Sequence, residues 1–200
     1  MLTGVVVWMG VVLVGCSSAP PSNIDNICTI FQEKPDWYRS AQKTREKWGI
    51  PESVLMAFKH QESGFNASAR PERTRILWVI PWRRPSSAYG YSQALDSTWK
   101  WYIEKSGNRG AKRSNFADSA DFIGWYNDIS HRELGVSKAD ARNLYLAYHE
   151  GHGGYRRRTY NQKAWLVAVA DKVGRKARTY SAQLEGCRES LKRRRWWWPF

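Results

Sequence analysis

Acid is scarce in this chain: 18 Asp and Glu stand against 32 Lys and Arg over 200 residues, leaving a formal charge of +14. Such an excess points to an acidic partner, which could be nucleic acid, anionic lipid or a carboxylate-bearing polymer, and charge alone does not choose among them. Cysteine is nearly absent. With three residues, Cys16, Cys28 and Cys187, the chain has no Cys-x-x-Cys to complement His60-Gln61-Glu62, so the His-x-Glu of a zinc deaminase has no partner. His149-Glu150-Gly151-His152 spaces its histidines three apart and runs into glycines, whereas a zincin needs them four apart on one helix face. Neither a metal nor a cofactor is expected. Internal repeats are missing too, and 200 residues favour one domain with an ample core.

Long apolar runs are also lacking. Residues 5–14, Val-Val-Val-Trp-Met-Gly-Val-Val-Leu-Val, are too few to span a bilayer comfortably but have the length of a signal-peptide apolar region. No Lys or Arg precedes them. Leu13-Val14-Gly15-Cys16 resembles the bacterial lipobox, in which the cysteine becomes the acylated first residue of the mature protein. The resemblance implies a signal peptide over 1–15, more than one acyl chain on Cys16 as stable anchoring requires, and, with Ser17 following, retention at the outer membrane facing the periplasm. A plain secretory signal or a buried N-terminal helix is the alternative. In that compartment nucleic acid is not the expected partner. Cys28 and Cys187 are then an even pair in oxidising surroundings and read as a disulfide tying the N-terminal arm to the last helix, two free thiols being the other reading.

Residues 16–35, with Pro20-Pro21-Ser22-Asn23, read as a tether, and residues 36–187 as the folded domain. The tail, 188–200, ends in Lys192-Arg193-Arg194-Arg195-Trp196-Trp197-Trp198-Pro199-Phe200. It has the form of an interfacial membrane anchor and equally that of an unstructured terminus.

Inside the domain the apolar period is helical. Trp37, Ala41, Thr44 and Trp48 share a face, and Gly49 stops it. Ile50-Pro51-Glu52 restarts a helix with proline at its first position. Its stripe is Val54, Leu55 and Phe58, and Glu62, four beyond Phe58, should emerge at the helix end beside that stripe. Helical patterns return at 96–105, 118–134, 137–149 and 161–184, with Ser137 and Asp140 approximating a capping box. Between them, residues 70–93 are rich in Pro, Arg and aromatics, and Ile76-Leu77-Trp78-Val79-Ile80 is a β-prone run. The expectation is a mainly α fold with a small hairpin or lid insert near 70–90.

Three segments occur in an order that resembles a known family. Glu62-Ser63-Gly64-Phe65, Ala88-Tyr89-Gly90-Tyr91-Ser92-Gln93 and Ala147-Tyr148-His149-Glu150-Gly151 are similar to the three motifs of soluble-type lytic transglycosylases and their goose-type lysozyme relatives. The family's second motif reads close to Gly-Leu-Met-Gln and its third Ala-Tyr-Asn, so Tyr91-Ser92 and His149 are departures. The resemblance covers roughly residues 45–185. It implies a lysozyme-like helical domain that cuts the MurNAc-β-1,4-GlcNAc bond of peptidoglycan, with Glu62 as general acid and then base. It implies no second carboxylate, because the muramyl C6 hydroxyl attacks C1 and leaves a 1,6-anhydromuramyl end.

The chemistry asks for the same residue types. A glutamic acid protonates a glycosidic oxygen near neutral pH only if desolvation raises its pKa, and an apolar helix face supplies that. Ser63, Tyr91, Ser92, Gln93, Tyr148 and His149 are then expected to line the substrate groove. Glu150 is a rival carboxylate, or a turn residue among Gly151, Gly153 and Gly154. Trp78, Trp82, Tyr89, Tyr91, Trp99 and Trp101 could stack on sugars, although Trp99 or Trp101 is expected in the core. Arg83-Arg84 and Arg156-Arg157-Arg158 read as charged surface. Two other functions fit less of the pattern: a hydrolytic muramidase, needing a second carboxylate, and a non-catalytic peptidoglycan-binding or membrane-associated lipoprotein working through its tail.

Overall fold

The helix from Glu52 to Ser63, α3, is the strand of chain around which everything else is arranged: Glu52 through Lys59 are all buried. A helix enclosed on every side belongs in the middle of a domain. In the computed structural model, which describes residues 19–73, 75–76, 80–81 and 85–194, α3 packs against α2 (Pro35–Trp48), α5 (Phe116–Leu134), α6 (Ala141–Arg156) and α7 (Ala164–Arg194). The expected stripe of Val54, Leu55 and Phe58 is therefore too narrow, since Met56 and Ala57 are also 0% exposed. Side chains such as Leu55, Met56 and Phe58 each contribute about 1.5–3 kcal/mol on burial. Proline precedes the helix by one position more than expected, with Pro51 at the cap and Glu52 in the first turn.

Two charges go into this core with partners. Glu52 accepts from Arg45 of α2 at 3.3 Å and from Arg188 of α7 at 3.0 Å, which fastens three helices at one end. Lys59 lies between the rings of Phe116 and Tyr91, 4.1 and 5.0 Å from their centroids, and donates to the Phe116 carbonyl and the Ser119 hydroxyl. Burial pushes its pKa well below the usual ammonium range, against the pull of Asp118.

Residues read as a tether prove to be part of the domain. Asn26 caps a short helix, α1 (Ile27–Glu33), through bonds from the Cys28 and Thr29 amides. Ile27, Ile30 and Phe31 are essentially unexposed, and α1 packs on α7. Cys28 and Cys187 are bonded, Sγ–Sγ 2.07 Å, across 159 positions. The far boundary moves as well. Instead of ending near 184, α7 runs to Arg194 with Leu191 buried, so the beginning of the expected tail is helix, and the tail's residues 195–200 lie outside the described residues, as do Cys16 and the leader.

The other helices follow their caps. Asp96–Ser106 forms α4, and α5, capped by Asn115, starts at Phe116, two residues ahead of the expected point. For α6 the cap is Asp140, accepting from the Asn143 amide, and Ser137 only makes the preceding turn. The β-prone run does not stay straight: β1 (Arg75–Ile76) pairs antiparallel with β2 (Ile80–Pro81), Ile76 facing Ile80. Trp78, Trp82, Arg83 and Arg84 lie outside the described residues. The fold is mainly α and lysozyme-like, and among the described residues no helix is long and apolar enough to cross a membrane.

Candidate active site

Glu62 is the next-to-last residue of α3, and the chain leaves the helix immediately afterwards through two left-handed residues, Gly64 (φ 55°) and Phe65 (φ 64°). A phenylalanine is uncommon in that region and is kept there by its surroundings: Phe65 is wholly buried, with its ring 5.7 Å from that of Trp37. The Ser63 hydroxyl lies 3.1 Å from both the Lys59 and the Tyr91 carbonyl oxygens. It therefore ties the end of α3 to the second segment instead of entering the groove.

The second segment is folded tightly on itself. The Gly90 amide donates to the Ala69 carbonyl at 2.9 Å, the Tyr91 amide to that of Arg113 at 3.2 Å, and Gln93 Nε2 to both Ala69 and Gly90 carbonyls at 2.9 and 2.8 Å. Ala69 and Gly90 thus close the base of the insert. At Gly90 (φ 75°) an added Cβ would lie 2.2 Å from the Arg113 carbonyl oxygen, which is backbone and cannot yield. Gly90→Ala is accordingly expected to cost about 2 kcal/mol or more and to lower Tm by about 4–8 °C in differential scanning calorimetry. An unshifted Tm would show that this turn is not fixed against Arg113.

On the third segment, the Tyr148 hydroxyl donates to the Ser92 carbonyl at 2.6 Å, and its ring meets the edges of Phe58 and Tyr126 at 5.4 and 5.2 Å. His149 stands edge-on to Trp165 at 5.2 Å. Glu150 turns away into a cage of its own. Burial pushes its carboxyl up, but bonds from Lys163, Thr159 and His149 outweigh this and hold it at about 2. The expected break does occur, at Gly151 (φ 71°, ψ 161°), yet helical turns resume as far as Arg156.

These pieces enclose a cleft of about 470 Å³, lined among others by Glu62, Gln93, Thr98, Phe122, Tyr126, Tyr148 and His149. Of the residues expected to contact substrate, Gln93, Tyr148 and His149 reach it. Ser63, Tyr91 and Ser92 do not line it. Tyr91 is a core residue set edge-on to Trp37 and Phe116, and Ser92 is 0% exposed, presenting its carbonyl to Tyr148. Trp99 packs on Phe122 and Trp101 on Trp125, and Tyr89 lies under the guanidinium groups of Arg70 and Arg113.

Desolvation raises the pKa of Glu62 to about 7, the Tyr145 hydroxyl opposing it with a hydrogen bond that favours the carboxylate. Tyr145 was not expected at the site. It lies one turn before Tyr148 on α6, with its ring edge on Phe58 at 5.4 Å, and that spacing was the available signal. All 18 acidic residues of the chain fall among the described residues, and Glu62 is the one that lines the cleft.

A single half-buried carboxylic acid thus lies in an aromatic cleft where three segments of a helical domain meet. Residues 4–187 match the sequence profile of the transglycosylase SLT domain. The chain belongs to this family. No curated protein gives a match. As an SLT-domain protein it has lytic transglycosylase-type activity on peptidoglycan, with the glycan strands as substrate. Within the SLT fold, Tyr91-Ser92 in place of Leu-Met puts an aromatic ring in the core, where the Lys59 ammonium lies over it at 5.0 Å.

Proposed function

We propose that the protein cleaves the MurNAc-β-1,4-GlcNAc bond without water, leaving 1,6-anhydromuramyl ends, with Glu62 as acid and base. The observation that carries this reading is that the cleft holds one carboxyl, whose pKa desolvation raises to about 7, so that both its acid and its carboxylate forms are accessible near neutral pH. Glu62 gives its proton to the glycosidic oxygen as the C1–O bond breaks. The resulting carboxylate takes the proton of the muramyl C6 hydroxyl as that oxygen bonds C1. Atoms and protons balance, and Glu62 ends as it began. Because nucleophile and electrophile share one sugar, proximity substitutes for a second carboxylate. Phe122, Tyr126 and Tyr148 line the cleft beside the acid, with Phe58 packed against Tyr148, and Gln93 Oε1, which has no hydrogen-bond partner among the described residues, is placed to meet the substrate.

Mass spectrometry of soluble products from purified peptidoglycan tests the reaction. Anhydromuramyl ends are the expected outcome, and reducing muramyl ends would make the protein a hydrolase.

The proposed setting is the periplasmic face of the outer membrane, with Cys16 acylated after removal of residues 1–15. Support comes from the lipobox-like Leu13-Val14-Gly15-Cys16. Metabolic labelling with an alkyne-bearing palmitate should mark the protein in membranes, and Cys16→Ala should abolish the label. Labelling that survives this substitution would place the anchor elsewhere.

A further inference from the structure

Beyond the catalytic cleft lies a second one, of about 430 Å³, lined by Glu133, Tyr155, Arg156, Arg158, Tyr160 and Asn161 among others. The two are close. Tyr126, a wall of the catalytic cleft, stacks on His152 at 4.7 Å, and His152 lies 3.9 Å from the Glu133 carboxylate that pairs with Arg156 at 2.8 Å. One side chain, His152, therefore stands between the wall of the groove and the wall of the second cleft.

Its chemistry is cationic and aromatic. Arg156 is neutralised by Glu133, whereas Arg157 and Arg158 form no ion pair with any described residue. Tyr155 and Tyr160 make a wall, with centroids 5.4 Å apart. Arg158 stands in the left-handed region (φ 56°, ψ 36°) at the start of the 3-10 turn Thr159–Gln162, and its side chain makes no capping bond there. A glycine would adopt that conformation freely, and this part of the chain uses glycine at positions 151, 153 and 154. Keeping an arginine where the backbone disfavours it puts an exposed, unpaired cation on the lining of the cleft at a conformational cost, which is the pattern of a functional position.

We infer that this cleft binds a free carboxylate of the peptide stem carried by the glycan strand whose sugars lie at Glu62. The inference rests on the peptidoglycan reading of the groove. A guanidinium fork matches a carboxylate with two parallel bonds, and tyrosine rings pack against the peptide behind it. The closeness to Tyr126 of the catalytic cleft favours a ligand tethered to the substrate over a lipid phosphate.

Arg158→Gly removes the guanidinium and suits the backbone, so its Tm should not fall. With the full chain purified in mild detergent, kcat/KM on stem-bearing peptidoglycan should drop about tenfold more than on glycan stripped of its stems by an amidase. A second arm is independent of catalysis. In a Glu62→Gln background, a synthetic stem tetrapeptide with two free carboxylates should bind by calorimetry, and Arg158→Gly should weaken it at least tenfold. Equal losses on both glycans, or peptide binding indifferent to Arg158, overturns the proposal. So does loss of binding to vesicles of anionic phospholipid with peptide binding intact, which would make the cleft a headgroup site. If the unaltered protein cleaves neither glycan, the enzymatic reading falls while the peptide measurement still decides this one.

Discussion

Glu62→Gln should lower kcat on peptidoglycan by about 10⁴-fold or more, since each proton transfer by a positioned carboxyl is worth about 10²–10⁴ and the same group performs two. Release of soluble muropeptides measures it. A variant retaining more than a few per cent of activity would put the acid elsewhere. The same substitution should also stabilise the fold, in a pH-dependent way. The folded pKa of Glu62, about 7, lies above its ordinary 4.5. A raised pKa gives a contribution fully present below the unfolded value and lost as pH rises through the folded one. Wild type therefore loses stability between about pH 4.5 and 7, by up to about 2–3 kcal/mol, and the Gln variant does not. The difference in Tm should be small at pH 4 and largest above pH 7.5; equal differences at both would deny that the carboxyl is desolvated. For catalysis the sign is the same, kcat falling as pH rises through about 7. Tyr145→Phe removes the bond that favours the carboxylate and should move that limb to higher pH.

Severing Cys28 from Cys187 should be the most damaging change to stability. The bridge closes a loop of about 160 residues, for which the chain-entropy account gives about 5 kcal/mol. For a domain of this size that is about 10–20 °C in Tm. Cys28→Ser with Cys187→Ser, or reduction of the native protein, should give the same shift in thermal melts. Other ties between arm and α7 remain, including the Ile27 amide on Gln183 Oε1 at 3.0 Å and Tyr180 on the Ile24 carbonyl. A shift below about 2 °C would mean that these already restrain the arm and that loop closure is not what the bridge supplies.

Which parts of this could be read without coordinates follows from how far apart the deciding residues are. Gly49 marks the end of α2 as its left-handed cap, and Asp96 the start of α4 as an acid in its first turn, because both signals are local. Glu62 was legible because the helix period alone puts it one turn beyond Phe58. The enclosure of α3 was not, since Met56 and Ala57 are apolar without advertising a partner, and the packing of α5, α6 and α7 around them is a tertiary fact. The same holds for α1, where Ile27, Ile30 and Phe31 are spaced for a helix but too few to outweigh the Pro-rich stretch before them. Tyr91 and Ser92 were placed in the groove by their neighbours in the motif; the left-handed Gly90 and Gln93 (φ 49°) turn them inward instead. Glu150 looked like a free turn carboxylate until Thr159 and Lys163, 9 and 13 positions later, came round to it.

The enclosure of α3 also sets how this enzyme fails. Its amide protons have no shallow opening through which to meet solvent, so the slowest hydrogen exchange in the molecule should be in the helix that carries the acid, occurring only when the whole domain opens. The last turn, which carries the acid, is tied to this core by the Ser63 hydroxyl on the Lys59 and Tyr91 carbonyls, so the acid is not lost by fraying. Heat inactivation should then coincide with global unfolding instead of preceding it, and the temperature at which the cleft stops working should be the temperature at which the protein stops being folded.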